Sequence, residues 1–368
     1  MYRLILVILS VTLLFAGCSS KAGKRNDTTD SVTTSVQTTA NTTDEVQTTS
    51  YIETTVPDTT TTEAITEPEI TTTVADTTTT GDEITDDFPP DIPESEISAA
   101  ISGVTATNAF VYNSTDGILL GMKGDGKNII PASITKLLTA LYALEVAPQD
   151  HVITATSDIL SLVGKNSSLA YIRNEHRLSV SQLIEGMMLP SGNDAAYVLA
   201  GGVGRYLSND PILSGKEAVD LFMNGLNEYA KSIGCTGTYY SVPDGLAKTG
   251  HYTSTHDLII IGKLASEHPL IAKYAKTVSE KVYYKSGQNI TWTNSNSLIN
   301  PNSEYYSPYV NGLKTGSLSG NNCVYVSATI NDKTYLIGIF GCPEKNGRYD
   351  DAHKLINAIL ESTKEAGE

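Results

Sequence analysis

Between Ser20 and Glu96 the chain carries 25 threonines in 77 residues and almost no aromatic side chains. A stretch of that composition buries too little apolar surface to offset the entropy of ordering it, so residues 19–96 are expected to be a disordered linker. The same 77 residues hold 17 acidic side chains against 3 basic ones, a net of −14 out of −16 for the whole chain. Like-charge repulsion and the repeated Asp-Thr-Thr-Thr-Thr blocks make the segment an extended spacer. Its r.m.s. span as a coil is about 50 Å and its stretched reach about 250 Å. Whatever folds must therefore come from Ile97 onward, where 24 acidic and 21 basic residues nearly balance. About 270 residues remain, enough for one sizeable core. Neither part carries the basic stripe that nucleic-acid binding requires, and that class of partner is excluded.

The start of the chain reads as an export signal. Met1-Tyr2-Arg3 supplies a small positive end, and Leu4 to Phe15 is a mostly apolar run of 12 residues. That is short for a membrane span and suited to a signal h-region. It closes on Leu14-Phe15-Ala16-Gly17-Cys18. Small residues before a lone Cys resemble a bacterial lipobox, which implies that residues 1–18 are a lipoprotein signal peptide and that Cys18 is lipidated. The Phe three places before the Cys departs from the usual Leu, and an ordinary cleaved signal is the alternative. The other cysteines, Cys235, Cys323 and Cys342, have no C-x-x-C partner, so no metal and no cofactor are expected. A two-residue loop at Asp332-Lys333 would set Cys323 opposite Cys342, on a hydrogen-bonded pair whose Cβ atoms are farther apart; free thiols are expected.

Along residues 97–368 the pattern changes twice. Asn108–Asn113 and Ile118–Lys123 read as strands around Ser114-Thr115-Asp116-Gly117, and Pro131-Ala132-Ser133 opens a helix through Val146. Helical periodicity then dominates, with Ser179–Leu189, Asp194–Val203, Gly215–Ile233 and Ser254–Ala265 as its clearest segments. Strand-like runs return at Lys281–Tyr284, Cys323–Ile330 and Tyr335–Cys342, and Arg348–Thr363 closes as an amphipathic helix. The expected fold is α/β: a sheet assembled from both ends, with an inserted helical lobe.

Three short motifs carry chemistry. Ser133-Ile134-Thr135-Lys136 places a hydroxyl and an amine three residues apart, on one face of a helix. A serine is a weak nucleophile and needs an adjacent base, and a lysine serves only if burial or nearby cations depress its pKa. Taken alone, the motif reads more readily as a serine N-cap followed by a solvated lysine. The apolar Leu137, Leu138, Ala140 and Leu141 argue instead for a buried helix. Ser191-Gly192-Asn193 is ordinarily a connector whose Asn caps the next helix; functionally, Ser191 would relay a proton and Asn193 bond a substrate amide. Lys314-Thr315-Gly316 suits a strand edge that holds an anionic group, with Gly316 admitting a ligand backbone. A decoy, Lys248-Thr249-Gly250, lies in a turn-rich connector.

In this order the motifs match the penicillin-recognising serine enzymes. The region from about Thr107 to Leu360 resembles the low-molecular-weight penicillin-binding proteins of the D-alanyl-D-alanine carboxypeptidase family. The matching words are Pro-Ala-Ser-Ile-Thr-Lys (131–136), Ser-Gly-Asn-Asp-Ala-Ala (191–196), His-Tyr-Thr-Ser-Thr-His-Asp-Leu (251–258), Thr-Asn-Ser-Asn-Ser-Leu (293–298), Asn-Gly-Leu-Lys-Thr-Gly (311–316) and Gly-Arg (347–348). The resemblance implies a β-lactamase/transpeptidase-like fold, an antiparallel sheet flanked by helices with an inserted all-helical lobe. It also implies a serine hydrolase that removes the terminal D-Ala from peptidoglycan stem peptides and is acylated by β-lactams. Ser133 would be the nucleophile, Lys136 its base, and Ser191 the donor to the leaving D-Ala. Asn193 would orient the peptide, Lys314 would tune the site, and Thr315 with Arg348 would bind the terminal carboxylate. The N–H groups of Ser133 and Ser317 would form the oxyanion hole.

Two departures qualify the resemblance. Asp244 stands in Val242-Pro243-Asp244-Gly245-Leu246 where the family often has His, and the sequence ends after the last helix, without the family's common C-terminal β-domain and anchor. Cys18 is expected to supply membrane attachment from the other end, facing the catalytic domain toward the cell wall. The rival readings are a β-lactamase, a D,D-endopeptidase, and a non-catalytic β-lactam-sensing or wall-binding module. Gly192, where class A β-lactamases usually carry Asp, leans toward the carboxypeptidases. Glu175 and Glu267 read as a turn and a helix end rather than deacylation bases, and His251 with His256 lacks metal-site spacing.

Overall fold

The computed structural model describes residues 96–246 and 249–365. The export signal, Cys18, the linker and the decoy Lys248 lie outside the described residues. The chain opens with helix α1 (Glu96–Ser102) and the hairpin β1 (Asn108–Asn113)–β2 (Ile118–Lys123). A 3₁₀ turn, Ala132–Ile134, runs into α2 (Thr135–Val146). The helical lobe follows: β3 (Val152–Thr154), α3 (Ser157–Leu160), β4 (Arg177–Ser179), α4 (Val180–Met188), α5 (Asn193–Ser208), α6 (Gly215–Ser232), α7 (Thr255–Glu267) and α8 (Pro269–Lys276). A small ribbon, β5 (Ser279–Tyr283) with β6 (Asn289–Thr293), precedes β7 (Val310–Leu318), β8 (Asn321–Ile330), β9 (Lys333–Cys342) and α9 (Gly347–Glu365).

The main sheet has the order β2-β1-β9-β8-β7, antiparallel throughout. Its centre is the pairing of β1 with β9, so the two ends of the domain close on each other, as the strand–helix–strand pattern implies. Period-two alternation divides the strands between two cores. Val111, Val324, Val326, Ile337 and Ile339 face α1 and α9, where Leu355, Ile356 and Ile359 are buried. Phe110, Tyr325, Leu336 and Phe340 face the helical lobe. Burying each of those aliphatic side chains contributes about 1.5–3 kcal/mol, which fixes the register of the strands that carry them. On the lobe side Tyr325 donates its hydroxyl to the Leu258 carbonyl at 2.5 Å, which ties α7 to the sheet.

The β8–β9 hairpin turns one residue earlier than the sequence suggests. Asn331 (φ 49°) and Asp332 (φ 61°) form the turn, and Ile330 pairs with Lys333. Asn and Asp tolerate left-handed backbone, whereas a turn at Asp332-Lys333 would place a lysine there. An irregularity between Asn322 and Val324 then sets Asn322, not Cys323, opposite Cys342. Cys235, Cys323 and Cys342 are buried free thiols.

Helix α2 is the axis of the lobe. Every residue from Thr135 to Ala143 is buried, polar and apolar alike, because α4, α5, α6 and α7 all pack around it. A helix enclosed on all sides is where a lysine loses its water. Among the described residues no helix is long and apolar enough to cross a membrane.

Candidate active site

Ser133 is not a helix cap. It lies in the 3₁₀ turn, and the cap of α2 is Ile134, with no side-chain capping bond. The preceding Ala132 holds a left-handed φ of 49°, a conformation that costs a non-glycine residue energy and is retained where surrounding structure enforces it. That enforcement comes from β7: a Cβ on Gly316 would stand 2.9 Å from the Ala132 Cβ and 3.0 Å from the Ser133 nitrogen. Gly316 is thus required for close approach, between the strand edge and the Ser133 backbone rather than a ligand alone.

The freed hydroxyl meets the lysine one turn on. Lys136 Nζ donates to Ser133 Oγ at 2.9 Å, to Asn193 Oδ1 at 2.7 Å and to the Asp244 carbonyl at 2.8 Å. Ser133 Oγ also lies 3.4 Å from that carbonyl. Lys136 is 0% exposed, and burial pulls its amine down to about 8, against the opposing pull of Asp244 and Asp194. An amine in that range has a neutral fraction near neutral pH that can accept a proton, and the fraction grows as the pH passes 8.

Asn193 likewise does not cap: Gly192 is the N-cap of α5, without a side-chain bond. Asn193 turns its carbonyl oxygen to Lys136, and its own backbone N–H bonds the Ser168 carbonyl at 2.8 Å. Asp194 accepts from the N–H groups of Ala170 at 2.7 Å and Ile172 at 2.8 Å, so it holds the 168–172 loop over the start of α5. Ser191 sits between α4 and α5 with φ 60°, and its hydroxyl accepts from Lys314 Nζ at 2.9 Å.

Lys314, Thr315 and Gly316 lie on β7, the edge strand next to the lobe. Lys314 is 1% exposed, and burial, Lys136 and Arg348 together depress its pKa strongly. Thr315 Oγ1 is 2.8 Å from Ser295 Oγ. Ser317 is exposed at the strand's rim. Arg348, on the first turn of α9, is 4% exposed and approaches from behind the strand. It donates to the Gly316 carbonyl at 2.8 Å and Ser317 Oγ at 2.7 Å, and it stacks over the Tyr349 ring. Its charge reaches the cleft through Ser317 rather than as an open receptor.

The structure therefore gathers Ser133, Lys136, Ser191, Asn193, Lys314, Thr315, Gly316, Ser317 and Arg348 from the 3₁₀ turn, α2, α5, β7, α9 and the α4–α5 connector. It leaves out Glu175, which is exposed in a turn with φ 67°, and Glu267, exposed at the end of α7 beside a different cleft. Sequence reasoning passed over three supporting residues. Ser295 lies within the phrase at 293–298 and holds Thr315. Asp194 lies beside Asn193 and holds the loop. His251 accepts the Ser241 N–H on Nδ1 at 3.1 Å, so its Nε2 carries the proton given to Thr135 Oγ1 at 2.8 Å. Burial pulls His251 down to about 4, keeping the ring neutral against Tyr240. Thr135 in turn donates to the Ala132 carbonyl at 2.8 Å, beside Ser133.

A serine beside a buried lysine, with a second lysine on a facing strand, is one chemistry, and comparison with known proteins assigns its family. The sequence model described as D-alanyl-D-alanine carboxypeptidase matches residues 95–341. The chain belongs to that family. It is 25% identical over 257 residues to D-alanyl-D-alanine carboxypeptidase DacF of Bacillus subtilis, covering 68% of this chain and 61% of the relative. It is 29% identical over 268 residues to the D-alanyl-D-alanine carboxypeptidase of Streptomyces sp. strain K15, covering 69% of this chain and 87% of that one. The crystal structure of the Streptomyces K15 DD-transpeptidase superposes with a TM-score of 0.62 at 26% identity, over 69% of this chain and 97% of that one. The fold is thus that of the β-lactamase/transpeptidase enzymes, as the motifs imply. The chain spans 61% and 60% of the lengths of DacF and of Escherichia coli DacD, which is 29% identical to it over 255 residues.

Proposed function

We propose that the domain is a serine D-Ala-D-Ala carboxypeptidase that trims the terminal D-Ala from peptidoglycan stem peptides. The observation that carries this reading is the 2.9 Å contact between Ser133 Oγ and a fully buried Lys136 amine whose pKa is pulled down to about 8. Neutral Lys136 takes the Ser133 proton as Oγ bonds to the carbonyl carbon between the two D-Ala residues. The N–H groups of Ser133 and Ser317 receive the developing oxyanion. The C–N bond then breaks. The leaving amine takes the proton through Ser191, which is already bonded to Lys314. Asn193 orients the acyl-side amide. The D-Ala carboxylate is held by the Thr315 and Ser317 hydroxyls in the field of Lys314 and Arg348. Water hydrolyses the acyl-enzyme and restores Ser133. A β-lactam would enter by the same attack on Ser133.

Incubating the protein with a D-Ala-D-Ala-ending peptide and with a penicillin, and following D-Ala release and acyl-enzyme lifetime by mass spectrometry, tests this. D-Ala release with a long-lived penicilloyl-enzyme supports it. Rapid penicillin turnover without D-Ala release would make it a β-lactamase, and a stable adduct with no D-Ala release a sensing module. Release only from cross-linked muropeptides would make it an endopeptidase.

For location the reading is extracytoplasmic, with lipidated Cys18 in the membrane and residues 19–96 as the tether. Two or three acyl chains on a lipoprotein cysteine suffice for stable anchoring where one is marginal. Cys18→Ser should release the protein from the membrane fraction or stall its processing, and limited proteolysis should cut within 20–96 and free an active core. Unchanged membrane binding of Cys18→Ser overturns the anchor.

A further inference from the structure

Asp244 takes no part in the steps set out above, yet it is bonded to the base through its backbone carbonyl. The residue is 1% exposed. Its Oδ1 accepts the N–H of Leu246 at 3.0 Å, closing an Asx turn, and Oδ2 has no hydrogen-bond partner among the described residues. Its backbone carbonyl is the acceptor shared by Lys136 Nζ and Ser133 Oγ. The turn is locked to α2 on either side. Thr139 Oγ1 donates to the Pro243 carbonyl at 2.8 Å, and Gly245 (φ 81°) packs so closely that a Cβ there would overlap the Ala132 carbonyl and stand 2.8 Å from Thr135 Oγ1.

We propose that Asp244 is a positioning residue for acylation: its side chain aims its own carbonyl at Lys136 and Ser133, and its charge sets the pH range in which Lys136 can take the serine proton. The proposal rests on the assignment of Ser133 and Lys136 as nucleophile and base. The groups around Lys136 are Ser133 on the 3₁₀ turn before its helix, Asn193 and Asp194 on α5, Lys314 on β7, and Asp244 on the turn, which Tyr197 of α5 faces, with His251 acting through Thr135. Two of these are carboxylates. Asp194 spends its oxygens on the N–H groups of Ala170, Ile172 and Ala195, which disperses its charge into the backbone. Asp244 keeps one oxygen unshared, and it ranks ahead of Asp194 among the charges that oppose the burial of Lys136.

The test compares Asp244→Asn, which keeps an acceptor for the Leu246 N–H and removes the charge, with Asp244→Ala, which removes both. The second-order rate of acylation of the full chain by a fluorescent penicillin is measured across acid, neutral and alkaline pH. For Asp244→Asn the acid limb should move to lower pH by about one unit, with the plateau within a few-fold of wild type. For Asp244→Ala the limb should move the same way while the plateau falls by about tenfold or more, because the carbonyl is no longer aimed. If Asp244→Asn melts at a much lower temperature than wild type, Asp244→Ser, whose hydroxyl can accept the same N–H, takes its place with the same expected shift. A limb that stays put, or moves up, overturns the proposal. Wild type that acylates but releases no D-Ala from peptide would sink the carboxypeptidase reading and leave this one standing. Wild type that never acylates would sink both.

Discussion

The two buried lysines of the site sit in opposite electrostatic surroundings. Lys136, on the enclosed helix, loses its water but keeps Asp244 and Asp194 nearby, and its pKa settles at about 8. Lys314, on the edge strand, loses its water and faces the cations Lys136 and Arg348, and its pKa is pulled well below the ordinary lysine range. The helix side can exchange a proton near neutral pH. The strand side is short of negative charge and suits an anionic substrate end, which would push the Lys314 pKa back up. Burial alone does not make a lysine a base; the sign of its neighbours decides which task it can take.

This division can be broken experimentally. The largest expected effect is at the nucleophile: Ser133→Ala should abolish covalent labelling by penicillin while the thermal melt stays near wild type. Labelling at the wild-type rate would remove the helix side from the chemistry. Next, Lys136→Ala should slow acylation about 10²–10⁴-fold, as loss of a general base does. A loss no greater than that of Lys314→Ala would erase the distinction between the lysines. For Lys314→Ala itself the expected cost is about 2–4 kcal/mol in acylation, that of one preorganised electrostatic contact. Lys248→Ala should stay within a factor of a few, and the reverse ranking would show that the connector motif, not β7, is the working one.

The two smallest effects sharpen the comparison rather than test it outright. Because the base form of Lys136 is the active one, the acylation rate should rise with pH and level off above about 8, read from stopped-flow labelling. A rate that falls across that range would contradict the assignment of the base. Binding of the anionic peptide end should raise the Lys314 pKa, seen as a buffer-dependent enthalpy when titration calorimetry is repeated across pH in two buffers of different ionisation enthalpy.

Much of the site was legible because its motifs are local. The i, i+3 spacing of Ser133 and Lys136 guarantees a shared face on any helix, and β1, β2 and α2 fall where periodicity puts them. The three-residue β3 and β4 and the four-residue α3 are too short to show a period, and they form only because the lobe packs around them. The hairpin was misplaced by one residue because Asn331 and Lys333 flank Asp332 with similar polarity. Only the left-handed φ at Asn331 and Asp332 separates the alternatives. Ser295, Asp194 and His251 are not legible in the sequence because each acts through a partner distant along it, with a separation of 20 positions from Ser295 to Thr315 and 116 from Thr135 to His251.

By itself the sequence determined which residues were available to the chemistry and their order along the chain. Those are properties of composition and local spacing, which survive in any conformation. What it left open was whether Ser133 and Asn193 cap their helices or serve the site, since capping and catalysis ask for the same polar side chains. Tertiary packing decided that. Gly316 pressed on Ala132 holds Ser133 in a 3₁₀ turn outside the cap position, and the burial of Lys136 makes it the partner that both side chains satisfy. A buried amine must find acceptors wherever the fold brings them, and no local pattern encodes which ones those will be.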